Sequence, residues 1–178
     1  TRKGGFGGIT RRERTKPLIA AITGTAVAGG CEISLSCDLI VASTETVFGL
    51  PEVKRSLVAA AGGLFRLPRA LGMATAMELI MTGDPLPAQR AFELGMVNKV
   101  VLPEEVLGEA KKLAERIMAN APLAVQASRN VAARALIDDD DALWRASGKG
   151  FQSVAGTEDY QEGPRAFIEK RPPVWKGK

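Results

Sequence analysis

The sequence predicts an α/β fold with a helical C-terminal region. Residues 18–23 and 39–42 are continuous apolar runs without polar alternation, the pattern of strands buried on both faces. A small-residue or proline-fixed turn follows, and then a helical stretch. Beyond Pro103 the apolar residues recur at helical spacing only.

The elements follow in order. Residues 1–16, with Gly4-Gly5, Gly7-Gly8 and scattered basic side chains, read as loop or connector outside the core. After Pro17, residues 18–23 form a buried strand, 24–30 a small-residue loop and 31–37 a short helix. Residues 39–42 and 46–48 are strands, the latter broken by Gly49-Leu50-Pro51-Glu52. A second small-residue loop, 59–63, enters a helix over 64–71 interrupted near Pro68, and another helix covers 74–81. Pro87 opens a helix at its first turn and Gly95 ends it. A strand over 97–102 precedes a helix from Pro103 to about Met118 with its apolar residues on one face, and Pro122 opens the next, to about Ile137. The acidic run 138–141 marks a turn and supplies an N-cap. Helices near 142–154 and 158–170 follow. The tail, 171–178, is irregular and reads as a solvated end or as a contact with ligand or a neighbouring subunit. Trp175 in it is expected to anchor onto a helix.

Composition removes several kinds of chemistry. Histidine is absent, which excludes Ser-His-Asp and Cys-His machinery and most zinc sites. Acid–base work at neutral pH then falls to carboxylates, lysines, the single tyrosine or bound water, and carboxylates serve when burial raises their pKa. Cys31 and Cys37 have neither metal nor disulfide spacing and read as small buried hydrophobes. With 5% aromatics there is no stacking platform for nucleic acid. The basic stretch 11–16 is a solvated loop or an attractor for a polyanionic ligand. No run reaches the ~18 apolar residues of a membrane span, and no signal pattern opens the chain, so a cytoplasmic protein is expected.

Two segments carry candidate chemistry. In Ala28-Gly29-Gly30-Cys31-Glu32, small residues precede a helix whose first amides lack internal partners, and the helix dipole there favours negative charge. A developing oxyanion would be stabilised at that point. Taken alone, the segment better fits a tight packing turn with Glu32 on the surface. In Phe48-Gly49-Leu50-Pro51-Glu52, a carboxylate follows a buried strand and a proline; alone, it equally fits a solvated loop acid. Together they place two acids twenty residues apart, each beside a fixed turn, with one amide donor three residues before the first. Paired carboxylates can hold one water and share its proton traffic, which suits proton transfer beside a carbonyl.

The segment from Ile22 to Asp38 resembles the signature of the crotonase (enoyl-CoA hydratase/isomerase) family. Phe48-Gly-Leu-Pro-Glu52, Gly62-Gly63 with Arg66-Leu67-Pro68, Thr82-Gly83-Asp84, Gly95-Met96-Val97-Asn98 and Glu169-Lys170-Arg171 follow in the family's order, so the resemblance runs from about Lys16 to the end. It implies a spiral of ββα units over residues 1–102 and C-terminal helices over 103–178 that pack across a homotrimer or a dimer of trimers. It implies acyl-CoA thioester substrates, lipid and fatty acid metabolism, and no metal or redox cofactor, with coenzyme A entering as part of the substrate.

By position, Glu32 and Glu52 match the two catalytic acids of enoyl-CoA hydratases, and Gly29 matches one of two oxyanion donors. Gly30, Leu50, Pro51, Ala60 and Gly62 fall at the substrate pocket. The implied reaction is syn addition of water to a 2-enoyl thioester. Glu32 activates the water, Glu52 protonates the α-carbon, and the Gly29 amide holds the thioester oxygen. The C-terminal run from Glu162 to Gly177 resembles the carnitinyl-CoA dehydratase branch. The same resemblance also admits an enoyl-CoA isomerase or a non-catalytic acyl-CoA-binding homologue. Two departures stand out. Ala60-Ala61 replace the Gly-Ala usual before the paired glycines. The family's N-terminal strands, with the second oxyanion donor and the adenine-binding loop, are missing, so Thr1 is expected not to be the natural start.

Overall fold

A computed structural model of the chain describes residues 3–178. Two compact units are present, one reaching to Lys112 and the other running from Leu113 to Lys178.

The first unit is built from a repeated move. β1 (Ile19–Ile22), β2 (Ala26–Val27) and helix α1 (Gly29–Ser36) form one ββα step; β3 (Leu39–Ser43), β4 (Val47–Gly49) and helices α2 (Gly63–Leu71) and α3 (Met73–Thr82) form the next. β1 lies parallel to β3 with Ile19 opposite Leu39, and β2 lies parallel to β4 with Ala26 opposite Phe48. Each step thus adds one strand to each of two sheets, which is a ββα spiral. β5 (Leu86–Pro87), α4 (Ala88–Glu93) and β6 (Lys99–Val101) complete it in the reverse sense: β5 is antiparallel to β4, and β6 is parallel to β3. The sheets are therefore β1-β3-β6 and β2-β4-β5.

β3 is central and buried from Ile40 to Ser43, which explains its unbroken apolar sequence. Its one hydroxyl is satisfied: Ser43 Oγ donates to the Thr23 carbonyl at 2.9 Å. The neighbouring Thr46 Oγ1 donates to the Ile22 carbonyl at 3.0 Å. Phe48, Leu50, Leu67, Leu71 and Leu79 fill the space between sheets and helices. Each such side chain contributes about 1.5–3 kcal/mol when fully buried.

Several expectations change. The 24–30 loop contains β2, and Pro87 belongs to β5 before serving as the N-cap of α4. α2 continues through Pro68; only the Leu64 carbonyl forfeits a helical donor, in a half-exposed turn. The segment after Pro103 opens as a 3-10 turn (Pro103–Glu105) before α5 (Val106–Met118). α6 (Pro122–Ala132) stops five residues short of Ile137, where i→i−3 bonds such as Arg134 to Val131 tighten the chain. Residues 3–16 of the N-terminal segment are largely loop outside the core, as expected, but they carry fixed points, and residues 1 and 2 of that expectation lie outside the described residues. Phe6–Gly8 form a 3-10 turn, Thr10 is only 2% exposed, and Arg14 bonds the Ser36 carbonyl and Asp38.

In the second unit α6 packs against α7 (Asp140–Ala155), and α7 contacts α8 (Glu158–Ile168). Asp139 and Thr157 cap the last two helices by accepting from Ala142 N and Tyr160 N, each worth about 1 kcal/mol. The tail is irregular and mostly exposed, as expected, yet it is also pinned. Val174 N donates to Glu162 at 2.9 Å, and Lys176 N and Gly177 N donate to Asp159 at 2.7 and 2.9 Å. Trp175 does anchor: its Nε1–H donates to the Ala119 carbonyl at 2.8 Å and its ring lies against Gly163. Among the described residues no helix is long and apolar enough to cross a membrane.

Candidate active site

Helix α1 starts on a strained residue. Ala28 holds φ 50°, ψ −126°, a conformation that costs a non-glycine residue about 1–3 kcal/mol. Two bonds hold it: Ala28 N donates to the Gly49 carbonyl at 2.9 Å, and Glu32 N donates to the Ala28 carbonyl at 3.0 Å. Gly29 and Gly30 follow as the first helical residues, so their amides have no acceptor inside the helix.

Glu32 is 4% exposed, which removes the surface reading of this residue. An ionised carboxylate tolerates such burial only with donors around it. Two come from the loop entering α2: Ala61 N and Gly63 N both donate to Oε1, at 2.7 and 3.0 Å. Both amides meet the same carboxylate oxygen. Leu50 packs over Gly63 so closely that a Cβ there would lie 2.9 Å from Leu50 Cδ1 and 3.1 Å from Glu32 Cγ.

Glu52 lies in the first turn of a 3-10 segment (Pro51–Arg55), where Pro51 fixes the entry. It is half-buried, and its Oε2 is buried without a hydrogen-bond partner among the described residues. A buried oxygen of this kind carries a desolvation cost that a proton or a donor relieves. Cys31 sits between the two acids in electrostatic terms. Burial pushes its thiol up to about 11, the Gly49 backbone pulls it partly back, and the charges of Glu52 and Glu32 raise it further. Both carboxylates therefore act on one fully buried sulfur.

The remaining expected site residues differ in exposure. Leu50 is buried, Pro51 half-buried, and Gly62 is buried in a left-handed conformation with φ 114°. Gly30 is exposed with open space beyond its Cα. Ala60 is exposed, and the loop reaches Glu32 through Ala61 instead. Sequence reasoning missed Phe6, whose ring edge lies where a Gly29 Cβ would be, 2.3 Å from Cε1. It also gave no role to Arg66, which donates to the Ala61 and Thr10 carbonyls. Neither has a local signal, since each partner is more than twenty residues away or is a backbone atom. Among the described residues no group of three acidic, cysteine or histidine side chains is arranged to hold a metal ion.

Two acids on successive turns of a ββα spiral, beside a glycine-led helix N-terminus, define a crotonase-fold protein. The chain belongs to the enoyl-CoA hydratase/isomerase family, whose model matches residues 11–178. It is 44% identical over 164 residues to a Dictyostelium discoideum protein named "Probable enoyl-CoA hydratase, mitochondrial", covering 92% of this chain and 59% of that one. It is 41% identical over 180 residues to the carnitinyl-CoA dehydratase of Salmonella paratyphi B, covering 98% and 69%. Enoyl-CoA hydratases of Mycobacterium marinum and Mycobacterium tuberculosis superpose with a TM-score of 0.92 at 48% identity, over 96% of this chain and 70% and 68% of theirs. The chain thus spans less than two thirds of the Dictyostelium relative.

Proposed function

We propose that the protein hydrates 2-enoyl-CoA thioesters. The observation that carries this reading is the pair of acids: Glu32, buried and fixed through one oxygen by two amides, and Glu52, with a buried, unpartnered oxygen among the described residues. Glu32 Oε2 takes a proton from water as the water oxygen bonds to the β-carbon. The double-bond electrons move toward the thioester oxygen, where the Gly29 amide receives the charge, a contribution of about 3 kcal/mol. Protonated Glu52 gives its proton to the α-carbon, and proton exchange between the two carboxyls restores the starting state. Gly30, Leu50, Pro51, Ala60 and Gly62 would line the acyl group. No step asks for a metal or redox group.

The test is crotonyl-CoA. Turnover is expected as loss of the conjugated enoyl-thioester absorbance, with 3-hydroxybutyryl-CoA as product. Binding without turnover would turn the reading toward an acyl-CoA-binding homologue, and movement of the double bond without hydration toward an isomerase. A carnitinyl-CoA-type dehydratase is the second reading, favoured by the match to that enzyme over 98% of the chain. Faster turnover of carnitinyl-CoA than of crotonyl-CoA would select it.

A homotrimer or dimer of trimers in the cytoplasm, serving lipid metabolism, completes the proposal. Trp144, Phe151, Phe167 and Ile168 are 76%, 62%, 86% and 78% exposed, more apolar surface than isolated positions account for. Light scattering of the purified protein gives the subunit number directly.

A further inference from the structure

We infer that Arg66 is a positioning residue that keeps the Glu32 carboxylate and the Gly29 amide in register, by bridging the two separate backbone segments that hold them. Arg66 Nη1 donates to the Ala61 carbonyl at 3.2 Å, and Nη2 donates to the Thr10 carbonyl at 2.6 Å. The Ala61 residue is thereby gripped at both ends, since its N–H is donated to Glu32 Oε1. The Thr10 side leads to Gly29. Thr10 N and Ile9 N both donate to the Phe6 carbonyl, and the Phe6 ring packs on the Gly29 Cα. One guanidinium therefore stands where the support of the acid meets the support of the amide.

The surroundings show that the loop is shaped for this side chain. Gly62 adopts φ 114°, and a Cβ built there would fall 2.1 Å from Arg66 Nη1. Only glycine lets the guanidinium cross the loop at that point. Thr10 is almost fully buried, so the acceptor facing Nη2 is a fixed one. The guanidinium also lies over the Phe65 ring at 5.1 Å. Its position is electrostatically unfavourable apart from Glu32: burial lowers its pKa first, and Arg69 and Arg14 lower it further. A lysine could keep the charge but not the planar two-way reach.

The kinetic half of this inference rests on the hydratase reading; the structural half does not. Arg66→Ala and Arg66→Lys in the full chain test both. Hydrogen exchange is expected to show at least tenfold faster exchange of the Ala61 and Gly63 amides in Arg66→Ala, with β3 amides unchanged. With crotonyl-CoA, kcat is expected to fall by about 10²-fold while KM stays within about twofold, the mark of a misplaced group rather than lost binding. Millimolar methylguanidinium should restore much of the kcat of Arg66→Ala; methylammonium should not, and Arg66→Lys should remain slow. Unchanged loop exchange, or a uniform rise over loop and β3, would overturn the positioning role, as would full kcat in Arg66→Ala. An inactive parent protein whose loop exchange still responds would overturn the hydratase reading and leave the bridge standing.

Discussion

The Gly63 amide donates to Glu32 Oε1 at 3.0 Å, and the same glycine's Cα is covered by Leu50. One residue thus supplies a donor to the buried acid and a surface small enough to pack beneath it.

Gly63→Ala places a methyl 2.9 Å from Leu50 Cδ1 and 3.1 Å from Glu32 Cγ, in a buried setting. Overpacking of this kind costs about 1–3 kcal/mol. The urea midpoint should fall with the m-value unchanged. A parental midpoint would contradict the tight packing around Glu32.

Gly29→Ala tests the helix N-terminus. The added methyl would lie 2.3 Å from Phe6 Cε1 and displace the ring that packs on the Gly29 Cα, a loss that offsets part of any gain. Alanine favours the helix by about 1 kcal/mol over glycine, so stability should change little. Turnover should fall at least about tenfold, because in the proposed mechanism this amide receives the oxyanion charge and the displaced ring no longer supports it. Parental kcat would place the donor elsewhere.

Ser56 sits in the left-handed region, φ 56°, ψ 33°, directly after the segment carrying Glu52. Ser56→Gly removes a cost of about 1–2 kcal/mol and adds unfolded-state freedom, for a net gain of about 0.5–1 kcal/mol. Thermal melting reads the gain; a lower Tm would mean the Ser56 side chain carries an interaction that outweighs the strain.

The sequence made β1 and β3 legible as unbroken apolar runs, although only β3 is buried and β1 is partly exposed, and it made α1 legible because a glycine pair opens it. β2 and β5, two residues each, exist only through their partners on β4, and no local pattern announces them. α6 read too long because Leu136 and Ile137 continue the apolar rhythm, yet they are 68% and 59% exposed. At the site, Glu32 and Glu52 were visible as acids beside fixed turns. The amides that hold Glu32 come from 29 and 31 residues further on, a closure that only the fold creates. Phe6 and Arg66 were illegible for the same reason: their work is done on backbone atoms, which every residue has.

The tail gives a prediction with a sign. Glu162 accepts from Arg171, Arg165 and Val174 N, and these hold its carboxyl well below the usual range, Arg171 contributing most. A depressed carboxylate contributes stability above its unfolded pKa of about 4.3 and loses it as pH falls through the folded value. In a Trp144→Phe background, which leaves Trp175 as the one tryptophan, emission should hold constant from neutral pH through about 4 and shift only in stronger acid. Glu162→Gln should release the tail at neutral pH. A shift centred on the ordinary glutamate range would contradict the latch.

The most direct test of the central claim is the kcat of Glu32→Gln, Glu52→Gln and the double variant on crotonyl-CoA, beside the parent. Glutamine can still accept from Ala61 and Gly63, so all three should melt near the parent. Each single change should lower kcat by about 10²–10⁴-fold, and the double should be little worse than the slower single, as groups acting on one water require. Robust turnover in either single variant would contradict the two-acid mechanism.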